Sequence, residues 1–80
     1  MAGNNIVQDC AVAEEELRLL RQRIEKAHDR WEGAVVAAHD DPDRRSIAAR
    51  DAAYRTLYEL HQEREAGEYN LDTLRFWMSN

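Results

Sequence analysis

The sequence predicts an all-α protein, an antiparallel, coiled-coil-like helical hairpin with a short third helix at its C-terminal end. Three observations predict it. Apolar or small residues recur at Ile6, Cys10, Ala13, Leu17, Leu20, Ile24, Ala27, Trp31, Ala34 and Ala38, in alternating steps of four and three without a slip. A seam at 3.5-residue spacing is the mark of a coiled-coil helix rather than of a generic amphipathic one. Glycine and proline are scarce (three and one in 80 residues) while 34% of residues are charged, a composition of long helices. The single proline stands in the acid-rich break HDDPD, where one helix must stop and another can start.

Helix one is expected over about residues 6–38, with Asn4 or Asn5 as its cap and a length of about 50 Å at 1.5 Å per residue. Glu14 and Arg18 are spaced as an i,i+4 pair on its solvated face. Helix two is expected over about residues 42–66. Asp41 can accept the free N–H groups of its first turn, and Pro42 suits the first helical position, where a missing donor costs nothing. Its buried face is expected to hold Ile47, Ala53, Tyr54, Leu57, Tyr58, Leu60 and His61, with Gly67 as the left-handed residue that ends it. A third helix over about residues 70–78 is capped by Asn70 and carries Leu71, Leu74, Phe76, Trp77 and Met78.

A short loop makes helices one and two antiparallel. A turn centred near Asp40 and Asp41 sets facing residues whose numbers sum to about 81. Ala34 then meets Ile47, Trp31 meets Arg50 in a cation–π contact, Ala27 meets Tyr54, Ile24 meets Leu57 and Leu20 meets His61. Helix one outlasts helix two, so Leu71, Leu74 and Trp77 are expected to fold back over Ile6 and Cys10.

Eighty residues make one domain, and a lone core of that size is marginal. Val12, Leu19, Val35 and Val36 lie off the seam. Together with the small core they favour a second chain, and a homodimer forming a four-helix bundle is the simplest closed arrangement. Cys10 is the only cysteine, so no disulfide can form within the chain, and a lone thiol fits a reducing compartment. The N-terminal segment lacks a basic start and a long apolar stretch, and no apolar run reaches the roughly 20 residues of a membrane span. The expected location is cytoplasmic, with no membrane partner. A net charge of −5 weighs against a nucleic-acid partner, which calls for a basic face.

Catalytic constellations are sparse. Glu25 and His28 have the Glu-x-x-His spacing of di-iron bundles, but Ile24 and Ala27 hold the seam, which puts Glu25 on the outer flank and His28 at the edge. His28, His39 and His61 do not cluster. Asp40, Asp41 and Asp43 lack the ligand pattern of a calcium loop, and capping accounts for them. Cys10 has no basic neighbour within a turn that would activate it as a nucleophile. No glycine-rich loop is present. The expectation is a non-enzymatic protein that takes no metal or cofactor.

Trp31-Glu32-Gly33 resembles the Trp-x-Gly motif of the small helical-hairpin proteins exported by type VII secretion systems. That resemblance implies a substrate or partner of such a system, with a helical heterodimer mate. In that family the motif sits in the turn, whereas here the turn is read about six residues later. The family's Tyr-x-x-x-Asp/Glu signal has no counterpart, because Tyr54, Tyr58 and Tyr69 are followed four residues on by Tyr58, Gln62 and Thr73. As structure alone, Trp31 is a seam knob and Gly33 a weak point in a helix.

The C-terminal LRFWMSN places Phe76, Trp77 and Met78 in succession, more than one helix face can bury. Aromatic residues and methionine are enriched in interface cores. With Leu74 and Tyr58 they are the expected contacts to another protein. The sequence thus predicts a small, acidic protein-binding module, an adaptor, regulator or inhibitor of a larger complex. The type VII partner is the alternative.

Overall fold

The computed structural model describes residues 2–79, with side chains from residue 5 onward. Two helices, α1 (Ala2–Asp40) and α2 (Arg44–Ser79), pack against each other as a hairpin 59 Å long and 14 Å across. Thirty-nine residues at 1.5 Å each give about 58 Å, so α1 alone spans the molecule. No strand occurs among the described residues.

The seam read from α1 is the one the structure uses. From residue 5 to Asp40 its buried or half-buried positions are the ten seam residues and Val35. The matching positions of α2 are Ser46, Arg50, Ala53, Leu57, Leu60, Arg64, Gly67, Leu71 and Leu74, again in steps of four and three. Two buried clusters result. Cys10, Ala13, Leu17 and Leu71, with Ile6 and Leu74 against them, fill the open end. Ala27, Leu57 and Leu60, with Leu20, Ile24 and Trp31, fill the half nearer the turn.

The helix boundaries differ from expectation at three places. α1 starts at Ala2 and runs to Asp40. α2 starts two residues after Pro42, and its cap is Asp43 rather than Asp41. The Asp43 carbonyl accepts the Ile47 N–H at 3.1 Å, and its Oδ1 accepts the Ser46 N–H at 2.7 Å. Pro42 instead centres a tight turn in which the Asp43 N–H donates to the Asp41 carbonyl at 2.8 Å, a geometry its fixed φ favours. The third difference is that no separate third helix forms. Residues 70–78 continue α2 without a break, and Gly67 lies mid-helix with negative φ.

The reason Gly67 does not end the helix is packing. A Cβ at this position would stand 2.9 Å from Leu17 Cδ2, so the hydrogen of glycine lets the two helices close on each other. Leu17 and Gly67 have numbers summing to 84, which fits a turn centred on Pro42. The expected register of 81 is therefore off by three. Trp31 lies beside Tyr54, with ring centroids 6.3 Å apart, and Arg50 donates to Asp51 rather than sitting over the indole. Leu71 and Leu74 do reach Cys10 and Ile6, by straight continuation of α2 and not by folding back, while Trp77 stays exposed. Glu14 pairs across the hairpin with Arg75 at 3.2 Å, and Arg18 takes Glu15 as its partner.

Two consequences are measurable. A Cβ at Gly33 would meet nothing within 4 Å. Gly33→Ala should stabilise the fold by about 1 kcal/mol through helix propensity, measured by urea titration. Gly67→Ala should gain less or lose stability, because Leu17 must shift; an equal gain at both would contradict the close approach. The second consequence concerns the cap. The Ser46 backbone N–H bonded to its carboxylate holds Asp43 below the usual carboxylate range. A carboxyl with a lowered folded pKa stabilises fully above its unfolded pKa and loses that contribution as pH falls through the folded one. Asp43→Ala should therefore lower the thermal midpoint at neutral pH, and the gap from wild type should close in acid. A gap independent of pH would remove the charged cap from the account.

Candidate functional site

With the seam consumed by the hairpin itself, the candidate site is the apolar surface left outside it. Of the residues expected to contact another protein, Leu74 is half-buried against the Cys10–Leu71 cluster, so its apolar surface is already used within the chain. Phe76 and Trp77 are 61% and 62% exposed, and their rings meet edge-on at 5.8 Å. Met78 is also exposed. Tyr58 is exposed and stacks on Tyr54 at 6.5 Å, with 21° between the rings.

Ile47, Tyr54 and Tyr58, expected to be buried, are outside the seam. The adjacent seam positions are held by Ser46, Ala53 and Leu57. The displaced rings form a chain along one flank, running from His28 to Trp31 (5.8 Å), to Tyr54 (6.3 Å), to Tyr58 (6.5 Å). Trp31 anchors this strip, being half-buried against the Ala27–Leu60 cluster while its ring edge reaches Tyr54. Aromatic pairs in tilted or offset geometry add about 0.5–1.5 kcal/mol beyond burial. Apolar spacing predicts these tyrosines in the core, and the structure differs because Ser46, Arg64 and Gly67, which carry no apolar signal, hold seam positions of α2.

The two flanks of the hairpin differ electrostatically. On the flank carrying the aromatic strip, ion pairs cross between the helices. Arg21 meets Glu68 at 3.5 Å and Arg75 meets Glu14 at 3.2 Å, while Arg64 also reaches Glu68 at 3.4 Å. Arg64 occupies a seam position and its Nε is buried without a hydrogen-bond partner, a local cost in a small core. On the opposite flank lie Val12, Glu16, Leu19, Arg23, Lys26 and Arg30 of α1. Glu59, Glu63, Asn70 and Trp77 of α2 share that flank. Among the described residues no ion pair involves Glu16, Arg23, Lys26, Arg30, Glu59 or Glu63. A groove of about 430 Å³ opens there, lined by Leu17, Leu19, Leu20 and Gly67 together with the charged Arg23 and Glu63.

Residues with possible metal or catalytic chemistry are dispersed. His28, Asp29 and Glu32 bring three ligand atoms within 4.8 Å of one another, but all three are exposed on one helix face, and His28 is already 3.6 Å from Glu32. Glu25 is exposed, as the seam placement predicts. Cys10 is a buried free thiol within the open-end cluster. Trp31-Glu32-Gly33 lies inside α1 and not in the turn. Among the described residues no helix is long and apolar enough to cross a membrane. Compared with known proteins, this chain matches no family model, no curated sequence and no solved structure.

Proposed function

We propose that this chain is a non-enzymatic protein-binding module, acting as a homodimer that serves as adaptor, regulator or inhibitor of a larger complex. The observation that carries this is the aromatic strip Trp31–Tyr54–Tyr58, which stands half in solvent on a hairpin whose seam is already filled. Exposed tyrosine and tryptophan supply large contact area with few rotatable bonds, and such residues dominate the energetics of protein interfaces. Phe76 and Trp77 present a second aromatic pair at the opposite end. A surface of this composition can recognise a groove on a partner protein.

The test is affinity capture from the native host using wild type, Trp77→Ala and the double variant Tyr54→Ala/Tyr58→Ala. The substituted side chains are all exposed, so each variant should keep the helical content of wild type. Loss of an aromatic anchor of about 2 kcal/mol corresponds to roughly 30-fold weaker retention of a partner seen with wild type. Equal recovery of the same partner by all three chains overturns the assignment of these rings.

A further inference from the structure

We infer that the flank opposite the aromatic strip is a self-association surface. It takes a second copy of this chain in parallel, about a two-fold axis running along the helices, with both turns at the same end. This rests on the homodimer of the proposed function and assigns it a face and an orientation.

Area comes first. The chain exposes 6358 Å², whereas a compact protein of 9.3 kDa exposes about 5,000 Å². No described residue is fully buried. The excess exceeds the roughly 800 Å² per partner that a stable interface covers. A flank of a hairpin 59 Å long and 14 Å wide offers surface on that scale.

Charge chooses the flank and the orientation. The aromatic flank joins the two helices through ion pairs within the chain, Glu14–Arg75 and Arg21–Glu68. The opposite flank leaves its charges unpaired, and over its half nearer the turn they are sorted by helix, with Arg23, Lys26 and Arg30 on α1 and Glu59 and Glu63 on α2, while Glu16 of α1 lies beyond them toward the open end. Under the observed register Glu63 and Glu59 lie level with the Arg23–Lys26 turn. A two-fold axis parallel to the helices keeps every residue at its own level and lays α1 of one copy on α2 of the other. Arg23 and Lys26 then meet Glu63 and Glu59 of the second copy, twice over. An axis across the helices centred on this charged turn would instead lay each helix on its own counterpart in reverse, setting Glu59 against Glu63 and Arg23 against itself. Like charges in contact select against that arrangement.

Apolar shape agrees with the parallel choice. Leu19 is 46% and Val12 56% exposed on this flank. At the level of Leu19 lies the groove of about 430 Å³ beside Gly67. At the level of Val12 lies a smaller groove of about 230 Å³ between Ala13, Asn70 and Leu74. In the parallel dimer the Leu19 and Val12 of each copy enter the grooves of the other.

The test uses the full chain. Sedimentation equilibrium of wild type is expected to give twice 9.3 kDa. Arg23→Glu/Lys26→Glu alone, and Glu59→Lys/Glu63→Lys alone, are each expected to weaken self-association by about 100-fold while staying helical, and an equal mixture of the two is expected to dimerise again. Spin labels at Asp41→Cys in a Cys10→Ala background read the orientation. Turns at the same end place the labels about 10–25 Å apart, from the spacing of packed helices plus label arms. A monomeric wild type overturns both this inference and the homodimer it rests on. A dimer that survives both charge reversals, or whose labels stand apart by the 59 Å length of the hairpin, overturns the face or the orientation alone and leaves the homodimer standing.

Discussion

Leu17→Ala is expected to destabilise the protein by about 2–5 kcal/mol, the range for removing a buried leucine with incomplete collapse of the site. Leu17 is the least exposed of the described side chains, at 3%, and joins Cys10, Ala13 and Leu71 in the open-end cluster. It also fills the notch at Gly67, so no backbone or side-chain atom of α2 can move in cheaply to replace it. A domain of this size holds only about 4–12 kcal/mol in total, at 0.05–0.15 kcal/mol per residue. The substitution therefore removes a large share, and the thermal midpoint should fall by roughly 10 °C or more. Val36→Ala is the control. Val36 is 58% exposed, and alanine has the higher helix propensity, so stability should stay level or rise slightly. Equal midpoints for the two variants, followed by circular dichroism, would mean that the Cys10–Leu71 cluster does not hold the hairpin together.

Tyr69→Pro is expected to cost about 3 kcal/mol or more, because proline inside a helix removes one backbone hydrogen bond and clashes with the carbonyl four residues earlier. Tyr69 is 76% exposed, so its side chain carries little, and Tyr69→Ala should be close to neutral. The difference between the two variants isolates the backbone. The choice of position separates two architectures. In a chain with a helix ending at Ala66 and another beginning after Asn70, residue 69 lies in a linker where proline is welcome. In the continuous α2, the Thr73 hydroxyl donates to the Tyr69 carbonyl at 2.9 Å, and the helix runs on to Ser79. Urea titration of both variants decides between them. A proline variant as stable as the alanine variant would break α2 in two.

How far the sequence could be read depended on what occupied the seam. In α1 every seam position is apolar or small, so the spacing was plain and the structure uses all of it. In α2 the same spacing runs through Ser46, Arg50, Arg64 and Gly67, which carry no apolar signal. Tyr54, Tyr58 and Ile47 supplied a false one, since each sits one helical step from the true seam. The register error of three residues follows from that substitution and from placing the cap at Asp41. Three aspartates within four residues can each cap a helix, and only the Ser46 N–H geometry distinguishes Asp43. Gly67 invited a helix end because glycine's backbone freedom is the commoner reason for its presence, whereas here its missing side chain matters.

The candidate site was legible in part for the same reason. Phe76, Trp77 and Met78 had to overfill one face, and all three are exposed. Leu74 was legible as apolar but not as internal, because the cluster it packs against is built largely from Cys10, Ala13 and Leu17 at the other end of the chain. The unpaired charges of the Leu19 flank could not be read at all from spacing. Which charges meet across a flank depends on which residues of α2 hold the seam, and the observed seam brings Arg21 to Glu68 and Arg75 to Glu14.

The register is accordingly what every other statement depends on, and a methyl-resolved nuclear Overhauser measurement on the full chain tests it most directly. The Leu17 methyl groups should show cross-peaks to the α protons of Gly67, where the two residues touch across the seam. Cross-peaks from Leu17 to Arg64 with none to Gly67 would place the helices in the register of 81 and contradict the account.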